Sequence, residues 1–415
     1  MKSDFLSRFI KNELFIGSLI LLIMISISNL LNYFFHFSMA RMLGPADYSV
    51  LAVLTSLIYI FNVPTLSIQT IASKYSTKFN SKKQFGKINS LFVFLTKKLL
   101  IFSFFAFIAF AVISIFLAKS LDISFGLLTL TGTILFGMFL SPIAIGILQG
   151  TKKFKVWGIN AMISSLIKLI IAIALVFFGF KIYGAVIGFI IGTTISFFLA
   201  LPFIKRITKD KRKDKQEIKI FSSYDLATFF AMLFFVIMFS CDVILAKKFF
   251  SPELAGKYSV ASMIGKMLLF SIMSISSVMF PISSEKFLNG QRTRGVVKKT
   301  FFISSVLCGL ALILSITFPK LIIKILFGSQ YVDVSGILIY LMIAFSAISF
   351  LNILILYKIS KNKLELKHII FMGLFLATQI ILLSLFHKTI YQFSIVFMLS
   401  AIISFIGSLI LIRSK

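Results

Sequence analysis

Long apolar runs are the feature that most constrains what this chain can fold into. About twelve such runs, of roughly 20 to 28 residues each, follow one another along the 415 residues. They begin near Leu14, Asp47, Leu91, Ile123, Val156, Ile182, Phe221, Tyr258, Val297, Val334, Leu366 and Ile390. A hydrocarbon core about 30 Å thick needs about 20 residues of helix, and only a helix satisfies its own backbone there. With 59% hydrophobic residues, the chain is predicted to be an all-α polytopic membrane protein with twelve transmembrane helices.

The basic residues predict how these helices are oriented. Lys and Arg number 43 against 13 Asp and Glu, and they lie mostly between the apolar runs. If the N-terminus is cytoplasmic, about 32 of them fall in cytoplasmic segments and about 9 in outer loops, as the positive-inside rule requires. Lys168 and Lys266 are the two that fall inside spans. We therefore predict a multi-pass protein of the cytoplasmic (plasma) membrane with both termini in the cytoplasm, and no nucleic-acid partner.

A basic connection divides the chain into two halves. Its sequence, KRITKDKRKDKQEIK, runs from Lys205 to Lys219. We predict an N-terminal six-helix bundle at 1–204, a basic cytoplasmic linker at 205–220 and a C-terminal six-helix bundle at 221–415. A solvated linker near anionic lipid is the simplest interpretation of its charge.

A short internal repeat relates the halves. Residues 40–45 end in Gly-Pro and are followed by Tyr48-Ser49-Val50, while residues 246–252 end in Ser-Pro and are followed by Tyr258-Ser259-Val260. Both copies join the first and second helices of their half. Because each half has an even number of helices, a pseudo-twofold axis along the membrane normal is expected. Two pseudo-symmetric bundles around a central cavity are typical of an alternating-access transporter.

Four motifs resemble a known family. They are Leu43–Tyr48, Gly146–Gly150, Asp242–Ala246 and Gly256–Ser259. With the twelve spans, they are similar to the polysaccharide/oligosaccharide (Wzx-like) flippases of the multidrug/oligosaccharidyl-lipid/polysaccharide exporter superfamily. The resemblance implies translocation of polyprenyl-diphosphate-linked oligosaccharide from the inner to the outer leaflet, for cell-surface polysaccharide such as O-antigen. It also implies membrane lipids and polysaccharide-assembly proteins as partners.

Cations inside the membrane are the first candidates for substrate binding. A charge at the bilayer centre costs at least about 2.5 kcal/mol, so it is retained there for a reason. Lys168 lies near the middle of the fifth span, Lys266 lies in the eighth, and Arg41 precedes the first Gly-Pro turn. All three are predicted cavity cations that could pair with a diphosphate. The alternative for each lysine is that it neutralises a buried carboxylate or reaches interfacial water.

Uncharged polar residues predict the lining of the cavity. They are Asn29, Asn32, His36, Asn62, Gln69, Asn160 and Ser164. Asn160, Ser164 and Lys168 follow at intervals of four and form one stripe on their helix. Such stripes either line a wet cavity or form hydrogen bonds between helices, and the sequence leaves both interpretations open.

Two acidic residues, Asp225 and Asp242, lie in the seventh span. Each is a candidate for ion coupling or for charge pairing, and for Asp242 we favour pairing with Lys247 or Arg41. Pro64, in the middle of the second span, is a predicted hinge because it removes a backbone hydrogen bond.

Glycines repeat every four residues in the sixth span. Gly184, Gly188 and Gly192 predict a small-residue face for helix packing. No nucleotide-binding loop, catalytic motif or metal-ligand cluster occurs in the sequence, so we predict neither an enzyme nor a cofactor or metal. The main alternative function is a multidrug or cation antiporter of the same fold, which would need cavity carboxylates.

Overall fold

The described part of the chain is built from helices. The computed structural model describes residues 13–207 and 223–413, and side chains within 20–207 and 226–409. The helices are α1 (Glu13–Phe61), α2 (Val63–Ser81), α3 (Phe85–Leu121), α4 (Phe125–Gly132), α5 (Ile134–Gly150), α6 (Phe154–Leu175), α7 (Lys181–Ile207), α8 (Ser223–Phe249), α9 (Pro252–Leu288), α10 (Arg294–Thr317), α11 (Pro319–Phe327), α12 (Leu338–Ser360), α13 (Leu366–Leu385) and α14 (Ile390–Arg413). A π turn at Val176–Phe180 joins α6 to α7, and a 3-10 turn at Ser329–Ile337 precedes α12.

The lengths of the apolar helices agree with the predicted number of crossings. The described residues contain ten segments long and apolar enough to span a membrane. Two of them, Ile20–Ser81 with 62 residues and Phe154–Ile207 with 54, are each far longer than the roughly 20 residues that one crossing needs. Counting each of these as two crossings gives twelve. The polytopic all-α fold predicted from the sequence is confirmed.

The segment Phe154–Ile207 is an antiparallel pair of helices. Gly179 has a φ of +90° at the turn between α6 and α7. Along α7, Gly184 faces Leu175, Gly188 faces Ala172 and Gly192 faces Lys168, so positions advance on one helix as they recede on the other. A Cβ at Gly192 would lie 2.5 Å from the Lys168 Cβ. The predicted glycine face is confirmed, and its function is to let these two backbones approach closely.

The helices of the segment Ile20–Ser81 are interrupted twice. Gly44, with φ +76° and ψ 173°, breaks the helical path of α1 directly before Pro45. The second is the helix boundary at Asn62, whose φ of −75° and ψ of −15° stay in the helical region, and Pro64 occupies the first turn of α2. Pro in the first turn of a helix loses no intrahelical hydrogen bond, so the boundary lies just before the proline.

The contacts among the described residues divide the chain into two compact units. One groups Met1–Met42 with Phe61–Ile220, and the other groups Leu43–Ile60 with Phe221–Lys415. This differs from the predicted boundaries at 1–204 and 221–415, because residues 43–60 pack with the C-terminal helices. The two interruptions lie at the ends of that exchanged segment, at Gly44 and at Asn62. We call the first group unit one and the second group unit two.

The two copies of the sequence repeat meet inside unit two. Gly256 approaches the backbone of Pro45 so closely that a Cβ on Gly256 would lie 1.8 Å from the Pro45 carbonyl oxygen. Tyr48 and Tyr258 are both buried, at 1% and 0% exposure. Tyr48 packs edge-on against Phe327 and Tyr331. The repeat therefore marks a contact between equivalent parts of the two halves, which a sequence comparison alone does not reveal.

Candidate functional site

Lys168 lies deep within unit one. It is on α6, about 21 Å along the helix axis from Phe154, and only 7% of it is exposed. Its ammonium group donates a hydrogen bond to the side-chain carbonyl of Asn32. The Nζ also lies 4.8 Å from the ring centre of Phe35 and 4.3 Å from that of Phe189. One amide oxygen and two aromatic faces thus surround this cation.

Lys168 has no carboxylate partner among the described side chains. The sequence explains this, because Asp122 is the only acidic residue between Asp47 and Asp210. An amide dipole and two cation–π contacts compensate a buried charge only partly. The arrangement can therefore accept an anion, which would supply the missing countercharge.

The polar stripe that precedes Lys168 mainly connects helices. Asn160 donates to the Ser196 carbonyl at 2.8 Å and accepts from the Ser196 hydroxyl at 2.7 Å. Ser164 donates to the Asn160 carbonyl on its own helix at 2.7 Å. Asn160 is 3% exposed. Of the two interpretations that the sequence left open, the hydrogen bonds between helices are the ones observed for Asn160.

Lys266, in unit two, has a carboxylate partner. Its Nζ lies 3.2 Å from Asp242 Oδ1, and the side chains are 4% and 0% exposed. The Ser262 hydroxyl and the Tyr258 hydroxyl both donate to Asp242 Oδ2, the latter at 3.4 Å. The Lys266 Nζ also lies 5.8 Å from the ring centre of Phe345. These four polar groups form a closed, hydrogen-bonded cluster.

This cluster changes two of the sequence predictions. Asp242 is paired with Lys266, whereas the sequence favoured Lys247 or Arg41 as its partner. Lys266 matches the alternative considered above, a lysine that neutralises a buried carboxylate. The pair lies 24 residues apart in sequence, on α8 and α9, and nothing in the spacing of either residue indicates the other. Of the predicted cations, Lys168 is the buried one without such a partner.

The other predicted residues have varied surroundings. Arg41 and Asn29 are exposed, whereas His36 is 5% exposed and packs edge-on against Phe35. Asn62 is exposed and accepts a hydrogen bond from the Thr65 hydroxyl at 2.6 Å.

Gln69 forms a contact between helices. Its side-chain amide donates to that of Gln149 at 3.1 Å and so joins α2 to α5. Asp225 has its side chain outside the described residues.

Several residues of these sites were missed by the sequence analysis. Phe35 and Phe189 complete the surroundings of Lys168, but among 51 phenylalanines nothing distinguishes them. Asn352, on α12, is fully buried, and neither polar atom of its amide has a partner among the described residues. An amide inside an apolar run was a signal available in the sequence. No group of His, Cys, Asp and Glu suited to a metal ion occurs within the described residues.

Comparison with known proteins agrees with this architecture. A family model described as "Polysaccharide biosynthesis protein" matches residues 38–336. No curated protein matches the sequence. Among solved structures, an inward-facing multidrug resistance MATE family transporter of the MOP superfamily has a TM-score of 0.72 at 14% identity, covering 95% of this chain and 98% of the other.

Two further solved structures share the fold. The lipid II flippase MurJ, in an inward closed conformation, has a TM-score of 0.67 at 18% identity and covers 95% of this chain and 88% of its own. A MOP superfamily transporter from Pyrococcus furiosus, described as having a binding pocket of reverse polarity, has a TM-score of 0.58 at 14% identity, with 95% and 93% covered. At these identities the likeness concerns the fold.

Proposed function

Since the chain belongs to the polysaccharide biosynthesis protein family and has the fold of MOP-superfamily transporters, we propose that this flippase moves polyprenyl-diphosphate-linked oligosaccharide. The direction is from the inner to the outer leaflet of the cytoplasmic membrane, by alternating access, with both termini in the cytoplasm. The product serves cell-surface polysaccharide assembly. The family and the solved relatives consist of transporters and flippases, so the protein is not an enzyme.

The observation that carries the proposal is the uncompensated charge of Lys168. The diphosphate bears negative charge in every such substrate, whatever its sugars. In a low-dielectric site, Lys168 would exchange its weak amide and aromatic contacts for a charge-assisted hydrogen bond to the diphosphate. The sugars can remain hydrated. Lys168 is therefore proposed as the residue that binds the diphosphate, with Asn32 holding the ammonium group when no substrate is bound.

The first prediction concerns the replacement of Lys168 by Met. Met fills similar volume and contacts aromatic rings favourably, so Phe35 and Phe189 keep a packing partner. Flipping of a fluorescent polyprenyl-diphosphate oligosaccharide in proteoliposomes should fall at least about tenfold, because a hydrogen bond to a charged group is worth about 1.5–3 kcal/mol. Flipping is measured as the loss of protection from a membrane-impermeant quencher added outside, as the probe moves from the inner to the outer leaflet.

Two controls accompany this measurement. Lys168→Arg keeps the charge and should retain part of the activity, while Lys119→Met removes an exposed lysine from α3 and should leave flipping unchanged. Normal flipping by Lys168→Met would exclude Lys168 as the diphosphate ligand. Uptake of cationic dyes by the wild type, without flipping of the lipid, would instead establish the multidrug antiporter considered above.

A further inference from the structure

A cavity opens at the predicted cytoplasmic end of unit one. Its volume is about 750 Å³, and two connections and one helix end contribute to it: α2 to α3, α5 to α6, and the end of α7. The lining residues are Asn80, Phe85, Thr151, Lys153, Val156, Phe203, Arg206 and Ile207. The cavity is far from Lys168. Lys153, which lines the cavity, directly precedes α6, whereas Lys168 lies about 21 Å along the axis of that helix from Phe154.

Two of these connections have the same rigid geometry. In one, the Gln84 amide donates to the Phe79 carbonyl at 2.9 Å, and in the other the Lys153 amide donates to the Leu148 carbonyl at 2.8 Å. Each contains a lysine with positive φ, Lys83 at 54° and Lys152 at 61°. A hydrogen bond that closes six residues in this way, with one residue in the left-handed region, is a Schellman helix cap. The mouth of the cavity is therefore formed by capped helix ends.

The walls combine apolar side chains with two cations. Phe85, Val156 and Ile207, which line the cavity, also pack on a buried cluster formed by α2, α3, α5 and α7. Lys153 and Arg206 contribute the charges, and the Arg206 guanidinium carbon lies 5.9 Å from the ring centre of Phe203. Within the part of the chain that the structure describes, no acidic side chain lines the cavity.

Within the described residues, the basic side chains at this end of unit one are not matched by acidic ones. Basic residues in these connections and the adjoining helix ends are Lys74, Lys78, Lys82, Lys83, Lys87, Lys152, Lys153, Lys155, Lys205 and Arg206. The only acidic residue between Asp47 and Asp210 is Asp122, which lies at the opposite end of α3.

In unit two, by contrast, a basic residue at the end of a helix has a carboxylate partner. There Glu365 pairs with Lys367 at 2.7 Å, and this hydrogen bond holds the pKa of Glu365 below its usual value. Among the described residues, neither Lys153 nor Arg206 has a carboxylate partner. Anions that balance these two cations must come from outside the described chain.

We propose that this cavity binds the phosphate ester of an anionic membrane lipid. Arg206 can hold two phosphate oxygens at once and Lys153 a third, which are the contacts that these cations form with phosphates. Phe85, Val156 and Phe203 supply an apolar wall for the glycerol and the first methylenes. A free phosphate would leave that wall without a partner, so a lipid suits the cavity better. Basic pockets at the cytoplasmic ends of membrane helices bind anionic headgroups in this manner.

A single tryptophan makes the proposal testable. Trp157 is the only tryptophan of the chain and directly follows Val156, which lines the cavity. The full-length protein is reconstituted in phosphatidylcholine nanodiscs with increasing fractions of phosphatidylglycerol that carries bromine on its acyl chains near the headgroup. Bromine quenches a nearby indole. Brominated phosphatidylglycerol should quench Trp157 at a mole fraction at least about tenfold lower than brominated phosphatidylcholine does, since two cations act on one headgroup.

The variant and its control both remove two positive charges. Lys153→Gln/Arg206→Gln should lose the preference for the anionic lipid, while Lys82→Gln/Lys155→Gln should keep it, because those exposed lysines lie in the same connections but do not line the cavity. Equal emission spectra in phosphatidylcholine show that both variants fold around Trp157 as the wild type does. Equal quenching of the wild type by the two lipids, or a preference that persists in Lys153→Gln/Arg206→Gln, would overturn the proposal. Relief of the quenching by inorganic pyrophosphate would overturn the lipid assignment in favour of a free phosphate.

Discussion

At the scale of single residues, Lys168 and Lys266 are equally buried but differently compensated. Lys266 shares its charge with Asp242 and completes a cluster with Ser262 and Tyr258. Lys168 contacts Asn32 and two aromatic rings, and no carboxylate in the described part of the chain pairs with it. Removing a partner from a buried ion pair leaves an isolated charge, whereas removing an uncompensated lysine relieves one. The two lysines should therefore respond oppositely to neutralisation.

The second prediction is a double-mutant cycle on the buried ion pair. Lys266→Met and Asp242→Asn should each lower the free energy of unfolding by about 3–5 kcal/mol, because each leaves one charge buried alone. The double variant should be less destabilised than the sum of the single variants. Unfolding in detergent, followed by circular dichroism, measures all four proteins.

Lys168→Met serves as the comparison in this cycle and should leave stability unchanged or raise it. Additive effects of Asp242→Asn and Lys266→Met would show that the two side chains do not interact, contrary to the structure.

At the scale of the elements, close backbone contacts depend on individual glycines. The approach of Gly256 to Pro45 leaves no room for a side chain, since a Cβ would lie 1.8 Å from a carbonyl oxygen. A Cβ added to Gly309, within α10, would meet no atom within 4 Å and would face open space. One glycine is required by packing and the other is not.

The third prediction compares these two glycines. Gly256→Ala should lower the free energy of unfolding by about 1–3 kcal/mol, the usual effect of overpacking, or separate α9 from the segment 43–60. Gly309→Ala should stabilise α10 by up to about 1 kcal/mol through helix propensity. Thermal unfolding of both variants in the same detergent tests the difference. Similar unfolding temperatures for the two variants would mean that the backbones at Gly256 and Pro45 can move apart to accommodate a side chain.

The elements also show which contacts can be predicted from a sequence. The glycines of α7 repeat at helical spacing within one span, and their face was predicted because the pattern is local. The contact of Gly256 with Pro45 joins positions more than 200 residues apart and depends on how whole helices pack. The pairing of Lys266 with Asp242, only 24 residues apart but on different helices, depends in the same way on how the helices pack. In a membrane, the apolar residues that face lipid and those that face other helices are of the same types, so hydrophobicity does not distinguish them.

At the scale of the whole molecule, the lengths of the apolar runs and the positions of the basic residues predicted the class of the protein and the number of its membrane crossings. They did not predict against which helices residues 43–60 pack. That segment was assigned to the N-terminal bundle because it precedes the linker in the sequence. Its packing residues, including Leu51, Val53 and Leu54, are ordinary apolar residues with exposures of 0–1%. Gly44–Pro45 was interpreted as part of the repeat and Pro64 as a hinge, and neither predicted that the chain changes packing partners there. The hinge at Pro64 stays a prediction, as does the central cavity.

The fourth prediction concerns the driving force. The chain has no nucleotide-binding loop, and the proposed substrate is an anion. An inside-negative potential of 100 mV favours outward movement of one negative charge by about 2.3 kcal/mol, which is roughly a 50-fold change in distribution. Outward flipping in proteoliposomes should therefore accelerate when a potassium diffusion potential of that sign is imposed, and valinomycin-free vesicles provide the control. A rate that does not respond to the potential would require another source of energy.

The exchanged segment 43–60 also has a consequence for biosynthesis. It leaves the ribosome about 160 residues before the first of its C-terminal packing partners, α8, which at 5–20 residues per second is roughly 8 to 32 s. A soluble protein could not leave so apolar a segment unpartnered for that time without risking aggregation. In a bilayer, acyl chains surround Leu51 and Val53 as readily as neighbouring helices do. Lipid thus serves as the temporary partner of this segment until the second half of the chain has been inserted.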